Sequence, residues 1–149
     1  MHTFSELQQI INKEISALNF NKSPELLYKP IKYTMSMGGK RLRPVMLLMA
    51  CELFSGKYEK AIPAALGIEV FHNSTLLHDD IMDEADVRRN QPSVYKEWGR
   101  NIAILSGDAM IIKSYELMAD SPARSLSKIL KVFNKIAMQV CEGQQYDMD

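Results

Sequence analysis

Glu69-Val-Phe-His-Asn-Ser-Thr-Leu-Leu-His-Asp-Asp-Ile-Met-Asp83 has the pattern of a helix with a chemical end. A helix turns about 100° and rises about 1.5 Å per residue. Asp79 and Asp83 then lie about 40° apart and one turn from each other, with Asp80 on the same side. Like charges this close repel and raise one another's pKa. Acids at a helix C-terminus also oppose the macrodipole. Two accounts stand: a solvated acidic helix end, or oxygen ligands for a hard divalent cation. Mg2+ is such a cation, and binds substrate phosphates through one or two carboxylates while keeping several waters. Below the aspartates, His72, Thr75 and Leu76 share their face, and Ile68 lies a turn lower. This face suits a cavity for a charged head and an apolar tail. A buried helix with hydrogen-bonded Thr75 and His72 is the plainer alternative.

The chain around this segment predicts an all-α fold. Phe4, Leu7, Ile10, Ile11, Ile15 and Leu18 recur at helical spacing. Ser23-Pro24-Glu25 and Ser121-Pro122 each combine a capping hydroxyl with a proline at the first turn. The second helix runs toward Met37 and stops at Gly38-Gly39, and Pro30 either kinks it or marks its start. Pro44 opens a third, from Val45 to Phe54, apolar on nearly every side and therefore expected to be central and buried. A fourth helix is expected from Glu59 or Pro63 through Asp83, then a charged loop from Glu84 to Pro92. A short piece follows at Val94 to Trp98, then helices from Ile102 to Met118 and from Ser121-Pro122 onward. No alternating strand pattern or internal repeat is present. The last residues carry no helix stop, so the chain is expected to be part of a longer protein.

Gly38-Gly39-Lys40-Arg41-Leu42-Arg43-Pro44 joins two of these helices. Glycines let the backbone turn and leave room for a ligand. Three cations follow directly before a helix N-terminus, whose partial charge is positive. The arginine fork matches phosphate oxygens. A glycine stop with solvated charge remains the alternative, and the spacing is not that of a P-loop. Arg88-Arg89 is a second cationic group; adjacent arginines can point to opposite sides and reach two anions, or pair with Glu84 and Asp86. Together, the pieces describe a site for two diphosphates with hydrocarbon tails.

In the 149 residues, 18 basic and 18 acidic side chains cancel, so no overall field attracts nucleic acid or an anionic membrane. No apolar run approaches the ~20 residues of a membrane span. The N-terminus lacks a signal-peptide pattern, and Cys51 and Cys141 read as two buried thiols. A cytoplasmic protein is expected.

Four segments resemble the trans-isoprenyl (polyprenyl) diphosphate synthases: Gly38 to Pro44, Leu76 to Asp83 with Arg88-Arg89, Leu-Ser-Gly-Asp-Ala at 105–109, and Glu-Gly-Gln-Gln-Tyr-Asp-Met-Asp at 142–149. The resemblance implies the N-terminal portion of an antiparallel helical bundle around a deep cavity, usually a homodimer. It implies a Mg2+-dependent, head-to-tail condensation of isopentenyl diphosphate with an allylic diphosphate. Asp79 and Asp83 would hold Mg2+ on the allylic diphosphate, with Asp80 assisting and Arg88 touching the same group. Lys40, Arg43, His72 and Arg89 would bind isopentenyl diphosphate. Gln144 and Asp147 match a family motif that faces the metal and the allylic side.

The family's second aspartate-rich motif and its lysine-threonine pair are not in this sequence. Residues 1–149 are therefore expected to be the N-terminal part of a single polyprenyl synthetase domain, inactive or nearly so without the rest. In this family the residues one and two turns before the first aspartate are associated with tail length. Thr75 and Ser74 are small, and Phe71 lies about 12 Å from Asp79 along the axis as one floor of the cavity. A geranylgeranyl or longer product is expected. A class I terpene cyclase shares the aspartate motif but does not need the Lys40–Arg43 segment. A metal phosphohydrolase built on His78-Asp79 needs more histidines than His2, His72 and His78. A non-catalytic regulatory subunit is the third rival, favoured by the short chain and opposed by the intact motifs.

Overall fold

The computed structural model describes residues 1–148, and Asp149 lies outside the described residues. The chain is all-α: α1 is Phe4–Ala17, α2 Glu25–Ser36, α3 Leu42–Ser55, α4 Ile62–Met82, α5 Val94–Trp98, α6 Arg100–Ala119 and α7 Ala123–Met148. A 3-10 turn, Tyr58–Ala61, leads into α4. None of the described helices is long and apolar enough to cross a membrane.

Local chemistry sets several boundaries. Thr3 caps α1 through the Glu6 N–H, and the Glu6 side chain accepts from the Thr3 N–H in return. In α2 the expected cap is displaced: Pro24 occupies the N-cap and Ser23 makes no capping bond. Pro30 sits inside α2, buried against the core.

The α4–α6 pair forms the centre of the molecule, with α3 packed on α4 and α2 on α6. The two helices approach at Gly67 of α4, against Ser114 and Met118 of α6, and at Gly107 of α6, against His78 of α4. A Cβ on Gly67 would fall 2.7 Å from Met118 Cγ and 2.9 Å from the Ser114 carbonyl oxygen. A Cβ on Gly107 would collide with the His78 ring. Gly67 meets Ser114 and His78 meets Gly107, so the helices run antiparallel, and both glycines mark backbone contact. Leu7 and Ile11 of α1, Ile31 of α2, Leu48 of α3, Val70 of α4 and Met110 of α6 complete the core.

Three details depart from the sequence expectations. In α3 only Pro44, Val45 and Leu48 are buried, while Met46, Leu53 and Phe54 are exposed. A helix apolar all round has no preferred face, and only the side meeting α1 and α4 is covered here. The 84–92 loop contains a two-residue antiparallel ladder, β1 (Val87–Arg88) with β2 (Gln91–Pro92). Its turn residues, Arg89 and Asn90, both have positive φ, the geometry a type I′ turn requires. Lastly, Cys51 is half-buried and Cys141 exposed rather than both buried. Cys141 lies on α7, where Phe133 is the buried residue among those described.

Candidate active site

The carboxylates of Asp79, Asp80 and Asp83 stand at the C-terminal end of α4, where the Asp83 N–H closes the helix on the Asp79 carbonyl at 2.9 Å. Asp80 is buried and Asp83 exposed. The hairpin returns Arg88 onto this helix end. Its Nε and Nη2 donate to Asp80 Oδ1 at 2.9 and 2.5 Å, and Nη2 reaches Asp79 Oδ2 at 3.4 Å. The loop is tied back by Ser93, whose hydroxyl donates to the Ala85 carbonyl at 2.5 Å, and by the Ala85 N–H, which donates to the Asp80 carbonyl at 2.9 Å. Burial pushes the Asp80 carboxyl above the usual aspartate range. Arg88 opposes that rise, and the charges of Asp79 and Asp83 add to it. The Asp80 hydrogen bond in turn holds the Arg88 guanidinium more firmly protonated.

Arg89 points elsewhere. Its Nη1 donates to the Gly38 carbonyl, and its guanidinium lies against Gly39, where an added Cβ would come within 3.1 Å of Cζ. The hairpin turn therefore separates the two arginines, one onto the aspartates and one onto the Gly38–Pro44 segment. In that segment Gly38 and Gly39 have φ of 78° and 133°, which favour glycine. Lys40 is exposed, and its carbonyl accepts from Gln8 Nε2 at 2.9 Å. Arg43 Nη1 donates to His72 Nε2 at 3.2 Å. Burial, then the Arg43 charge, hold His72 below the usual imidazole pKa, so at neutral pH the ring is an acceptor.

Arg41 does not join these surface cations. It is 4% exposed, turned inward, and pairs with Glu69 at 2.7 Å. Its other nitrogens donate to the Met35 carbonyl at 3.1 Å and to Asn12 Oδ1 at 3.2 Å, while Asn73 Nδ2 bonds the same Glu69 oxygen at 3.2 Å. This corrects the expectation that Arg41 is a third ligand-facing cation. The signal in the sequence is Glu69, a lone acid in the apolar run from Ile62 to Phe71, which needs a buried partner. A cleft of about 10 Å³, close to the size of one water, separates the two arginine environments. It is lined by Thr34, Asn73, Asp80, Arg88 and Arg89, and Thr34 Oγ1 and Asn73 Oδ1 have no partner among the described residues.

The three side chains expected at the tail wall are placed differently from one another. Thr75 is half-buried, with its hydroxyl on the His72 carbonyl at 2.8 Å. Ser74 is fully buried, with its hydroxyl on the Phe71 carbonyl at 2.7 Å. Phe71 borders an apolar pocket of about 610 Å³ between α3, α4 and α7, which Ser74 and Thr75 do not line. Gln144, half-buried, and exposed Asp147 lie on α7, and none of the hydrogen bonds or ion pairs among the described residues joins them to the aspartates.

No cluster of three His, Cys, Asp or Glu side chains converges on a single point among the described residues. The donor chemistry nonetheless suits a hard cation. Asp80 is occupied by Arg88, whereas Asp79 is only loosely held at 3.4 Å and Asp83 is exposed. That leaves two oxygen donors one turn apart, compatible with a Mg2+ that keeps water ligands.

Residues 24–149 match the sequence profile of the polyprenyl synthetase family. The chain belongs to this family. It is 44% identical over 129 residues to a geranylgeranyl diphosphate synthase of Methanosarcina mazei, covering 85% of this chain and 40% of that protein. To a geranylgeranyl pyrophosphate synthase of Geoglobus acetivorans it is 39% identical over 142 residues, covering 94% of this chain and 44% of the relative. Among solved structures, a geranylgeranyl pyrophosphate synthase superposes with a TM-score of 0.94 at 44% identity, over 100% of this chain and 46% of the other. The Geoglobus acetivorans synthetase gives 0.93 at 36% identity, over 99% and 49%. The polyprenyl synthetase fold thus extends through the whole match, and the chain spans less than half the length of these relatives.

Proposed function

We propose that this chain is the N-terminal part of a single synthetase domain that condenses isopentenyl diphosphate with an allylic diphosphate, giving a linear trans product of geranylgeranyl length or longer. The observation that carries the proposal is the separation of the adjacent arginines. Arg88 accompanies Asp79 and Asp80, and Arg89 accompanies Gly38 and Gly39. Two anion environments either side of one hairpin match a reaction with two diphosphate substrates. A terpene cyclase, with one diphosphate, leaves the second environment without a role.

In this reading Asp79 and Asp83 hold Mg2+ against the allylic diphosphate, and Arg88, anchored by Asp80, presents its guanidinium to the same group. When bound, Mg2+ supplies charge that neutralises the departing diphosphate. Arg88 adds preorganised stabilisation of that developing charge. Lys40, Arg43, His72 and Arg89 bind isopentenyl diphosphate and orient its double bond toward the allylic carbon. The apolar wall below Thr75 receives the tail and excludes water from the allylic cation. Gln144 and Asp147 face the allylic side once α7 is covered. The family resemblance further supports a homodimer and a cytoplasmic location.

The test is binding and turnover by the 149-residue protein. Farnesyl diphosphate is expected to bind only with Mg2+, and the Mg2+ dependence to disappear in Asp79→Ala and Asp83→Ala. Turnover with isopentenyl diphosphate is expected to be absent or nearly so. Binding that is indifferent to Mg2+ and to both substitutions overturns the assignment of the site. Robust product formation overturns the proposal that this chain is only part of the catalytic domain.

A further inference from the structure

Asn73 stands one turn beyond Glu69 on α4 and is 1% exposed. Its Nδ2 donates to the Glu69 carbonyl at 2.8 Å and to Glu69 Oε1 at 3.2 Å. Both partners are acceptors, so the amide cannot be turned over without setting oxygen against oxygen. Oδ1 is therefore fixed as the atom left over, and it has no partner among the described residues. Asn73 also lines the cleft of about 10 Å³ between the two arginines. Thr34 of α2, 7% exposed, lines the same cleft, and its Oγ1 is likewise unpartnered among the described residues. Two buried polar atoms on two helices thus meet one small space. Buried groups of this kind are costly unless ordered water serves them.

The groups around the cleft select its occupant. Arg88 and Arg89 line it and repel a cation, while the Asp80 carboxylate and the Asn73 oxygen repel an anion. A neutral molecule that both donates and accepts suits all of them, and the volume admits one water. The remaining lining side chains, Met37, Leu76, Leu77 and Val94, are apolar and offer it nothing. Each guanidinium carries five N–H groups. Arg88 bonds the aspartates through Nε and Nη2, and Arg89 bonds Gly38 through Nη1, so both have N–H groups to spare. The two cations also feel one another. Burial first, then the charges of Arg41 and Arg88, loosen the hold of Arg89 on its proton, against the opposing charge of Glu69.

We infer that one resident water in this cleft, held by Asn73 and Thr34, bonds the guanidiniums of Arg88 and Arg89 and keeps both aimed at their diphosphates. This rests on the reading of the two arginines as ligands of the two diphosphates. The water donates to Asn73 Oδ1 and accepts from the arginine N–H groups, and the Thr34 hydroxyl supplies a further contact. Thr34 and Asn73 are positioning residues, too deeply buried to touch a substrate. Behind the water the support is continuous: Glu69 holds the Asn73 amide, and Arg41 holds Glu69 at 2.7 Å. A buried polar chain then runs from the α2–α3 loop through α4 to the hairpin. It gives two separate anion sites one shared backing, so a loss at the water is felt at both.

The experiment counts long-lived buried waters in the 149-residue protein by oxygen-17 relaxation dispersion. Calorimetry then measures the affinities of farnesyl diphosphate, with Mg2+, and of isopentenyl diphosphate. Fold is checked by circular dichroism. Thr34→Ile replaces the hydroxyl with an apolar arm that takes the space of a water and cannot reproduce its bonds. It is expected to remove one long-lived water and to weaken both ligands by about tenfold. Thr34→Ser keeps the hydroxyl and should retain the water and both affinities. Thr34→Val, close to threonine in shape, supplies the same comparison at smaller amplitude if the isoleucine variant does not fold. An equal water count in the unsubstituted chain and the folded Thr34→Ile variant overturns the resident water. Loss of the water with both affinities unchanged overturns the positioning role and leaves the diphosphate sites standing. Absence of Mg2+-dependent farnesyl diphosphate binding by the unsubstituted chain overturns the site reading, and the positioning role with it.

Discussion

Arg41 and Glu69 form an ion pair of 2.7 Å, 4% and 2% exposed, that fastens the α2–α3 loop to the middle of α4. Arg41 holds a φ of 53°, left-handed for a residue with a Cβ, which costs about 1–2 kcal/mol. The pair, with the Met35 carbonyl and Asn12, holds that backbone in place. Arg41 turns inward while Lys40, just before it, and Arg43, two residues on, are exposed to solvent. Removing one partner leaves a buried charge uncompensated. Glu69→Ala is expected to destabilise the fold by about 3–5 kcal/mol, and Arg41→Ala by a similar amount. Replacing both together, Arg41→Met with Glu69→Leu, should cost far less than the sum. Urea unfolding of the four proteins measures this coupling.

Gly39 is expected to resist substitution for a local reason. Its φ of 133° disfavours any side chain, and a Cβ there presses on Arg89 Cζ at 3.1 Å. Gly39→Ala should displace Arg89 and weaken isopentenyl diphosphate binding by about tenfold, equivalent to ~1.4 kcal/mol. Farnesyl diphosphate, bound on the Arg88 side, should be little affected. Titration of the two ligands separately checks the asymmetry.

His72 makes stability depend on pH. Its folded pKa lies below the ordinary 6.5 because burial, Arg43, Arg89 and Arg88 all oppose the imidazolium, while Glu69 opposes that trend. The unfolded chain then binds more protons than the folded one below about pH 6.5, so stability falls as the pH drops from there through the folded pKa. Above 6.5 this contribution is fully present. His72→Gln should flatten that part of the stability profile, as read from urea midpoints between pH 7.5 and 5.

Helix approach at the centre predicts a steric cost. Gly67→Ala sets a methyl 2.9 Å from the Ser114 carbonyl oxygen, a backbone atom that moves only with α6. The expected loss is about 1–3 kcal/mol. Gly67→Ser should be worse. A methyl at Gly143 would meet no heavy atom within 4 Å, so Gly143→Ala should be neutral or stabilising through helix propensity. Thermal unfolding of the three variants ranks them.

Much of the molecule was legible from local pattern. The helix order, the short piece at Val94–Trp98 and the long helix ending at the aspartates follow from spacing and punctuation that act within a few residues. So does the placement of Asp79 and Asp83 one turn apart, which is a property of the helix itself. The possibility that Arg88 and Arg89 diverge was also readable from their adjacency. What assigns each arginine to its side is the hairpin, through positive φ at Arg89 and Asn90 and the pairing of Arg88 with Gln91.

Features that depend on distant partners were not legible. Arg41 and Arg43 look alike in sequence, yet one is sealed against Glu69, 28 residues away, and the other lies at the surface beside His72. Ser74 and Thr75 are adjacent and both small. A turn of about 100° between them places only Ser74 in full burial. In α3, uniform hydrophobicity said nothing of which face α1 and α4 would cover. Phe133 gave no signal of its burial, because that burial comes with packing against the rings of Phe71 and Tyr115 on two other helices. Periodicity and charge act along the chain, so they define the helices and the kinds of chemistry they carry. Burial and pairing act between segments far apart in the chain, and packing alone chose which cations stay exposed and which are sealed inside.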